Sequence, residues 1–168
     1  MKNLFLIAVI VLGFSAVSFG QSSDVATASA TLITPISILK TVDMVFGTVA
    51  SSNTDGTVVL SNSGTVATAT GGASLVLGGS TRSVAEFNVT GEGASTFSVS
   101  CPTEITLLGA TTSNTLVVNS IATNTGTTGT LATGVFTIKV QGTLVLPALS
   151  VSDVYSNAAD LKVTVNYN

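Results

Sequence analysis

Carboxylates are the most numerous ionisable side chains in this chain, and they are dispersed along it. Hydrolysis of a glycosidic bond needs two carboxyl groups a few ångströms apart. After residue 40 the acidic residues fall one to each segment: Asp43, Asp55, Glu86, Glu92, Glu104, Asp153 and Asp160. Nothing in this spacing pairs two of them, so we expect them to serve solubility or turns.

Nucleophilic catalysis is restricted because the chain contains no histidine. A Ser-His-Asp or Cys-His arrangement needs that base to take the proton of the nucleophile. A Ser-Lys pair is formally available, but Lys40, Lys139 and Lys162 fall on the polar faces of expected strands, where we expect them to be solvated. The sequence therefore predicts a protein that is not an enzyme, with no catalytic residues.

Metal and cofactor sites are equally scarce. Zinc is bound mainly by Cys and His, and the chain has one Cys and no His. Calcium could use Asp153 or Asp55 with backbone carbonyls, but no D-x-D-x-D-G loop is present. Gly71-Gly72 and Gly78-Gly79 have no accompanying phosphate-loop motif and are expected to be turns. We predict no metal and no cofactor.

Cys101 is the only cysteine of the chain. It alternates in phase with Phe97 and Val99, which predicts a small buried hydrophobic side chain. The alternative is a reactive or intermolecular thiol.

The composition indicates an all-β fold. Charged residues make up 8% of the chain and the net charge is −3. The few basic residues are scattered singly, so nothing could neutralise a row of phosphates and we expect no nucleic-acid partner. The chain is rich in Val and Thr, which favour strands, and in Gly, Ser and Asn, which favour turns.

The first twenty residues predict a secretory signal peptide. Lys2 supplies the positive charge, Leu4–Leu12 is an unbroken apolar run, and Ser18 and Gly20 are the small residues before a cleavage site. The alternative is a membrane anchor, but the apolar run is shorter than the roughly 20 residues that span a bilayer. We therefore predict a signal peptide at 1–20 and one domain at 21–168, without a membrane association after cleavage.

Alternating residues predict about ten to twelve strands after the signal peptide. The closing stretch, Leu161–Asn168, places every apolar side chain on one face, and its regularity predicts strand neighbours on both sides. Val25–Ile33 also alternates and predicts a long N-terminal strand. Gly142 interrupts the Val135–Leu146 run, where we expect a bulge or bend. Turn signals every 8 to 12 residues predict a single antiparallel β-sandwich, immunoglobulin-like or pilin-like.

Several of these segments together resemble the secreted bacterial family known as domain of unknown function 4402. The segments are Ala28–Ile38 (ASATLITPISI), Asp43–Gly47 (DMVFG) with Gly56-Thr57-Val58, Phe87–Gly91 (FNVTG), Gly142–Pro147, and Val163–Tyr167 (VTVNY). The resemblance implies an exported β-sandwich similar to pilin-like and spore-coat-like domains, and it implies no activity. Many pilin-like domains carry a disulfide, whereas Cys101 is alone here, so such a bridge is absent.

We expect an exported structural or surface protein, secreted, on the bacterial cell surface or in the periplasm. In this hypothesis the protein acts as a fibre subunit or adhesin that uses strand pairing. The N-terminal strand Val25–Ile33 would be its means of self-association or of binding other surface proteins, or it would pair within its own domain. The alternative is a monomeric carbohydrate- or surface-binding module, for which Tyr155, Tyr167 and Phe87 could form a stacking platform, although core packing is the simpler role for them.

Overall fold

The computed structural model describes residues 20–63, 67–78 and 81–168. The predicted signal peptide, apart from Gly20, lies outside the described residues. Within them, no helix is long and apolar enough to cross a membrane. The strands are β1 Ser37–Val42, β2 Val49–Ala50, β3 Gly56–Leu60, β4 Ala67–Gly71, β5 Ser74–Leu75, β6 Ala85–Thr90, β7 Thr96–Ser100, β8 Ile105–Gly109, β9 Thr115–Thr123, β10 Thr128–Thr130, β11 Val135–Leu146, β12 Tyr155–Ser156 and β13 Thr164–Tyr167.

The chain divides into two units, one ending at Leu32 and the other spanning Ile33–Asn168. In the first unit, residues 20–32 form no strand and are exposed throughout. The predicted strand Val25–Ile33 is therefore not formed. The alternation is present, but a strand also needs the ladder of hydrogen bonds to a neighbour.

The second unit is built on β11, the longest strand, which runs through an eight-stranded sheet of order β1-β6-β11-β9-β8-β12. One edge of β11 pairs first with β6, through residues 135–140, and then with β3, through residues 142–146. The other edge pairs with β9. All of these pairings are antiparallel, and the hairpin of β3 and β4 extends the sheet.

A three-stranded sheet, β10-β7-β13, and a two-stranded ribbon, β2-β5, accompany this sheet. Phe97 on β7 meets Phe136 on β11 edge to face, with ring centroids 5.6 Å apart. The prediction of an all-β antiparallel fold with a sandwich arrangement is confirmed. The closing strand β13 pairs with β7 and is an edge strand within the described part of the chain. The expectation of neighbours on both sides was therefore wrong.

Alternation along the strands produces the core. On β11, Ile138, Val140, Gly142, Leu144 and Leu146 are buried, whereas the residues that alternate with them are only partly covered. Each such side chain contributes roughly 1.5–3 kcal/mol relative to an exposed one. The closing strand has the predicted phase, because Val165 is buried while Thr164 and Asn166 are exposed.

The bulge expected at Gly142 of β11 is found on the neighbouring strand β9, opposite Gly142. Between Gln141 and Thr143 the register of β11 against β9 shifts, and the extra residue belongs to β9. Ser120 on β9 has a φ of 51°, which is uncommon for a residue with a side chain. A Cβ at Gly142 would come within 3.0 Å of Val118. Glycine on β11 therefore leaves room for Val118, and β9 carries the bulge.

Candidate functional site

A groove of about 1140 Å³ lies against the inner face of the eight-stranded sheet. Its floor crosses four neighbouring strands, β6, β11, β9 and β8. The floor is apolar, with side chains that include Phe87, Ile105, Leu116, Val118, Leu144 and Leu146. The groove is at or above the upper end of the roughly 300–1,000 Å³ typical of small-molecule pockets. The six floor side chains are themselves at most 8% exposed, so little of the apolar floor is open to solvent.

Two connecting segments, residues 43–51 and 150–158, form much of the remaining lining of the groove. Each contains a short strand, β2 in the first and β12 in the second. Within the described residues, β2 pairs with β5 alone and β12 pairs with β8 alone. Each short strand therefore presents one edge of backbone groups that is not used in a sheet.

Apolar side chains are exposed where residues 150–158 line the groove. Val151 is 47% exposed and Val154 is 72% exposed, and Val76, which also lines the groove, is 40% exposed. Single exposed apolar residues are ordinary. Three of them on the lining of one apolar groove indicate a surface that gains free energy when it is covered.

Backbone hydrogen bonds hold the segment that precedes Val151. The Leu149 amide donates to the Ser52 carbonyl at 2.8 Å, and the Ala148 amide donates to Asp55 Oδ1 at 2.7 Å. Leu149 has a φ of 56° and its side chain is 75% exposed. This left-handed conformation costs a residue with a Cβ roughly 1–2 kcal/mol. The fold therefore keeps an exposed leucine in a strained conformation next to the groove.

Asp153 ties the same segment to the turn between β8 and β9. Its carboxylate accepts hydrogen bonds from the amide and hydroxyl groups of both Thr111 and Thr112, and from the Val154 amide. The Thr112 hydroxyl, together with these backbone amides, holds the pKa of Asp153 well below its usual range against the opposing effect of desolvation. A calcium ion needs oxygen ligands around it. The donors around Asp153 make it a structural clamp, which does not suit the candidate role in calcium binding.

The charged side chains that line the groove are paired with other groups of the same chain. Lys40 pairs with Asp43 at 2.5 Å, and the Asp153 carboxylate is occupied as described. These three are the charged residues among the lining side chains in the described part of the chain. A guest without charge therefore meets no unpaired charged group.

A second arrangement, the latch formed by Thr34, Glu92 and Tyr167, joins the beginning of the domain to its last strand. Tyr167 Oη donates to the Thr34 carbonyl at 2.7 Å and accepts from the Glu92 amide at 2.6 Å. The Thr34 amide donates to Glu92 Oε2 at 3.0 Å. Hydrogen bonding from the Thr34 amide, and to a smaller extent from the Thr34 hydroxyl, lowers the pKa of Glu92. A Cβ at Gly91 would collide with the Tyr167 hydroxyl, so glycine permits this approach.

The other sequence candidates do not come together. Among the described residues no group of three or more His, Cys, Asp or Glu side chains could hold a metal ion. Lys139 pairs with Glu86 at 2.9 Å, and Lys162 is exposed. Asp55 holds the Ala148 amide.

Cys101 and the three aromatic candidates are accounted for by packing. Cys101 is half-buried against the core, and this burial raises the pKa of its thiol. Phe87 is buried in the core, Tyr155 is partly buried against it and donates to the Val151 carbonyl, and Tyr167 is engaged in the latch. The three aromatic side chains therefore do not form one exposed stacking surface.

Sequence reasoning did not find the groove or the Asp153 clamp. The clamp joins residues 41 and 42 positions apart, and no local motif marks such a contact. The groove depends on how residues 43–51 and 150–158 lie against the sheet, which strand patterns do not reveal.

Comparison with known proteins gives one family. The model of the family described as domain of unknown function DUF4402 matches residues 36–167. This range includes both the groove and most of the latch. No curated protein and no solved structure gives a significant match.

Proposed function

The chain belongs to the DUF4402 family, and from this premise we propose that it is an exported, non-enzymatic structural subunit that assembles by strand pairing. Its N-terminal segment pairs with the sheet of another copy. The site of action is the bacterial cell surface or the space outside the inner membrane, reached by means of the predicted signal peptide.

The exposed segment Val25–Leu32 is the observation that carries this proposal. Its residues alternate between small apolar side chains, such as Ala28 and Ala30, and mainly hydroxyl-bearing ones. Val25 is 93% exposed and Leu32 is 100% exposed. An alternating segment that carries no charge and forms no strand has the chemistry of a strand that lacks a partner.

Strand addition supplies what such a segment needs. An extended peptide that joins a sheet edge gains main-chain hydrogen bonds along its length, and its alternate side chains provide specificity. The domain offers edges for this, because β13, β2 and β12 each pair on one side within the described residues. The latch holds the chain at Thr34, where the domain begins, close to the end of β13.

The absence of an enzyme role is supported by the chemistry of the site. Lys40 and Lys139 are each paired with a surface carboxylate, the first with Asp43 and the second with Glu86. The most strongly hydrogen-bonded carboxylate, Asp153, faces donors that stabilise its ionised form and make it a poor base. A structural role requires none of these groups to react.

The test is the mass and the solution size of the exported protein as a function of concentration. We expect a mass that corresponds to loss of residues 1–20, and a size that increases with concentration to multimers visible by electron microscopy. A variant in which residues 25–32 are replaced by an equally long Gly-Ser sequence should stay monomeric. A wild-type protein that is monomeric at every concentration, and is retained on a glycan array, would contradict the proposal and favour a monomeric binding module.

A further inference from the structure

We infer that Gln21, the first residue after the expected signal-peptide cut, is a modification site: it cyclises to pyroglutamate in the exported protein. The ring blocks the amino end of residues 21–33 against aminopeptidases. The inference rests on the proposed function in one respect, because the cut after Gly20 creates the amine that reacts.

The reaction needs only groups that Gln21 itself carries. Once the Gly20–Gln21 peptide bond is hydrolysed, the α-amino nitrogen of Gln21 attacks the carbonyl carbon of its own side-chain amide. The new nitrogen–carbon bond closes a lactam ring. The bond between that carbon and the side-chain nitrogen breaks, and this nitrogen leaves as ammonia with the proton that the amine loses. Nothing is oxidised or reduced, so the step needs no co-reactant.

The surroundings of Gln21 leave its amine and its amide able to meet. An α-amino group has an ordinary pKa of about 7.7–8.0, so about a tenth of it is neutral and nucleophilic at pH 7. Both groups belong to one residue, which removes most of the entropic cost of bringing them together. Residues 20–33 are exposed and form no strand. The hydrogen bond described for residues 21–33 runs from the Val25 amide to Asp24 Oδ1 at 2.8 Å and does not involve Gln21.

The segment of residues 21–33 is open to stepwise hydrolysis from its amino end. An aminopeptidase binds a free terminal amine and needs an accessible backbone, and this exposed segment offers one. The domain first holds the backbone at Thr34, whose amide donates to Glu92 Oε2 at 3.0 Å and whose carbonyl accepts from Tyr167 Oη at 2.7 Å. Trimming from a free amine would therefore consume residues 25–32 before it reached the latch.

Cyclisation also removes the positive charge of the new terminus. Asp24 is the charged side chain of residues 21–33, and the other side chains of this segment are uncharged. An ammonium group is costly to desolvate without a partner, whereas the lactam is uncharged. A neutral terminus therefore suits a segment that is proposed to enter an interface.

The intact mass of the exported protein tests the ring. The wild type should be lighter than residues 21–168 by the mass of one ammonia, and stepwise chemical sequencing from the amino end should be blocked. Gln21→Ser is the matched control, because it keeps the amine and has no side-chain carbonyl to attack. It should show no loss of ammonia and should be sequenced from residue 21.

The masses separate the ring from the proposed function. A wild type with the full mass of residues 21–168, or one that begins at another residue after export, overturns the ring and leaves the proposed function standing. A protein that retains residues 1–20 overturns both.

Digestion tests the protective role. Folded wild type and Gln21→Ser are incubated with a broad-specificity aminopeptidase, and their masses are followed with time. We expect the wild type to keep its mass and Gln21→Ser to lose residues stepwise as far as the latch at Thr34. Wild type that is first treated with pyroglutamyl peptidase, which removes the ring and exposes the Ser22 amine, should be trimmed like Gln21→Ser. Equal trimming of wild type and Gln21→Ser, or trimming of neither, overturns this role.

Assembly of the trimmed protein completes the test. Gln21→Ser that has lost residues 25–32 should form no multimers at concentrations where the untrimmed variant does. Multimers that persist after trimming contradict the proposed function and leave the ring at Gln21 standing, because the mass measures the ring independently.

Discussion

The phenolic oxygen of Tyr167 lies 2.7 Å from the carbonyl oxygen of Thr34, to which it donates a hydrogen bond across 133 positions of sequence. The same oxygen accepts from the Glu92 amide. One side chain of the last strand therefore satisfies two backbone groups at the beginning of the domain and after β6. Its contribution to folding is directly measurable.

Tyr167→Phe should lower the free energy of unfolding by about 1–3 kcal/mol, because it leaves a partly buried amide without its acceptor and a carbonyl without its donor. Urea unfolding followed by circular dichroism measures this change. Tyr155→Phe is the matched control, since it removes one exposed hydrogen bond to the Val151 carbonyl and should cost less. Equal losses for the two variants would contradict the role of the latch.

Asp153 should make stability depend on pH in the acidic range. Its folded-state pKa is lowered, chiefly by the Thr112 hydroxyl. Its stabilising contribution is therefore fully present above the ordinary carboxyl pKa of about 3.9 and decreases as the pH falls below it toward the folded-state pKa. Urea unfolding of the wild type and of Asp153→Asn, from pH 7 to pH 3, measures the contribution.

The difference in stability between the wild type and Asp153→Asn should be largest at neutral pH and should shrink as the pH falls. Asp24→Asn serves as the control, because among the described residues Asp24 accepts a single hydrogen bond, from the adjacent Val25 amide, and it should have little effect at any pH. A constant difference between wild type and Asp153→Asn across this range would show that the carboxylate charge is not the stabilising element.

Cys101 should react slowly while the protein is folded. Its burial raises the pKa of the thiol, and the thiolate is the reactive form. We expect a neutral maleimide at pH 7 to modify Cys101 at least about tenfold more slowly in native protein than in urea. The exposed thiol of Val59→Cys, in a Cys101→Ala background, should react at similar rates in both conditions. Fast native labelling of Cys101 would indicate a reactive thiol instead.

Leu149→Asn should stabilise the isolated domain by up to about 1 kcal/mol, because asparagine tolerates the left-handed conformation better than leucine. Thermal unfolding measures the gain, and Leu39→Asn, which replaces another exposed leucine, controls for the loss of apolar surface. If the strained leucine is retained for assembly, the same variant should need a higher protein concentration to form multimers. A variant that is neither more stable nor weaker in assembly would contradict both effects.

Much of the sheet follows from the sequence, because its strands carry the alternation that burial on one face requires. The phases of β7, β11 and β13 are read from Phe97, the Val135–Leu146 run and Val165. By contrast, the segment of residues 43–50 contains only the two-residue strand β2 and a single bridge from Val45 to Ser83. Its residues line the groove, and their alternation reflects packing against the floor more than pairing in a sheet.

The remaining differences come from partners that sequence patterns do not specify. β10, Thr128–Thr130, has no apolar alternation and is a strand because it pairs with β7. Val25–Leu32 has the alternation and forms no strand in the chain by itself. The Asp153 clamp depends on hydrogen bonds from Thr111 and Thr112. Other turns of this chain are also rich in Thr, so the sequence does not mark this turn as the partner of Asp153.

The latch also determines how the domain would respond to mechanical load. A pull on the residues before Thr34 first meets the hydrogen bonds of Tyr167 and Glu92, and then the β1–β6 ladder that begins at Ser37. Because Tyr167 belongs to the strand that pairs with β7, part of the tension passes into the second sheet before β1 is loaded. The first element to yield under force would thus be three hydrogen bonds that re-form when the tension ends, ahead of any strand leaving its sheet.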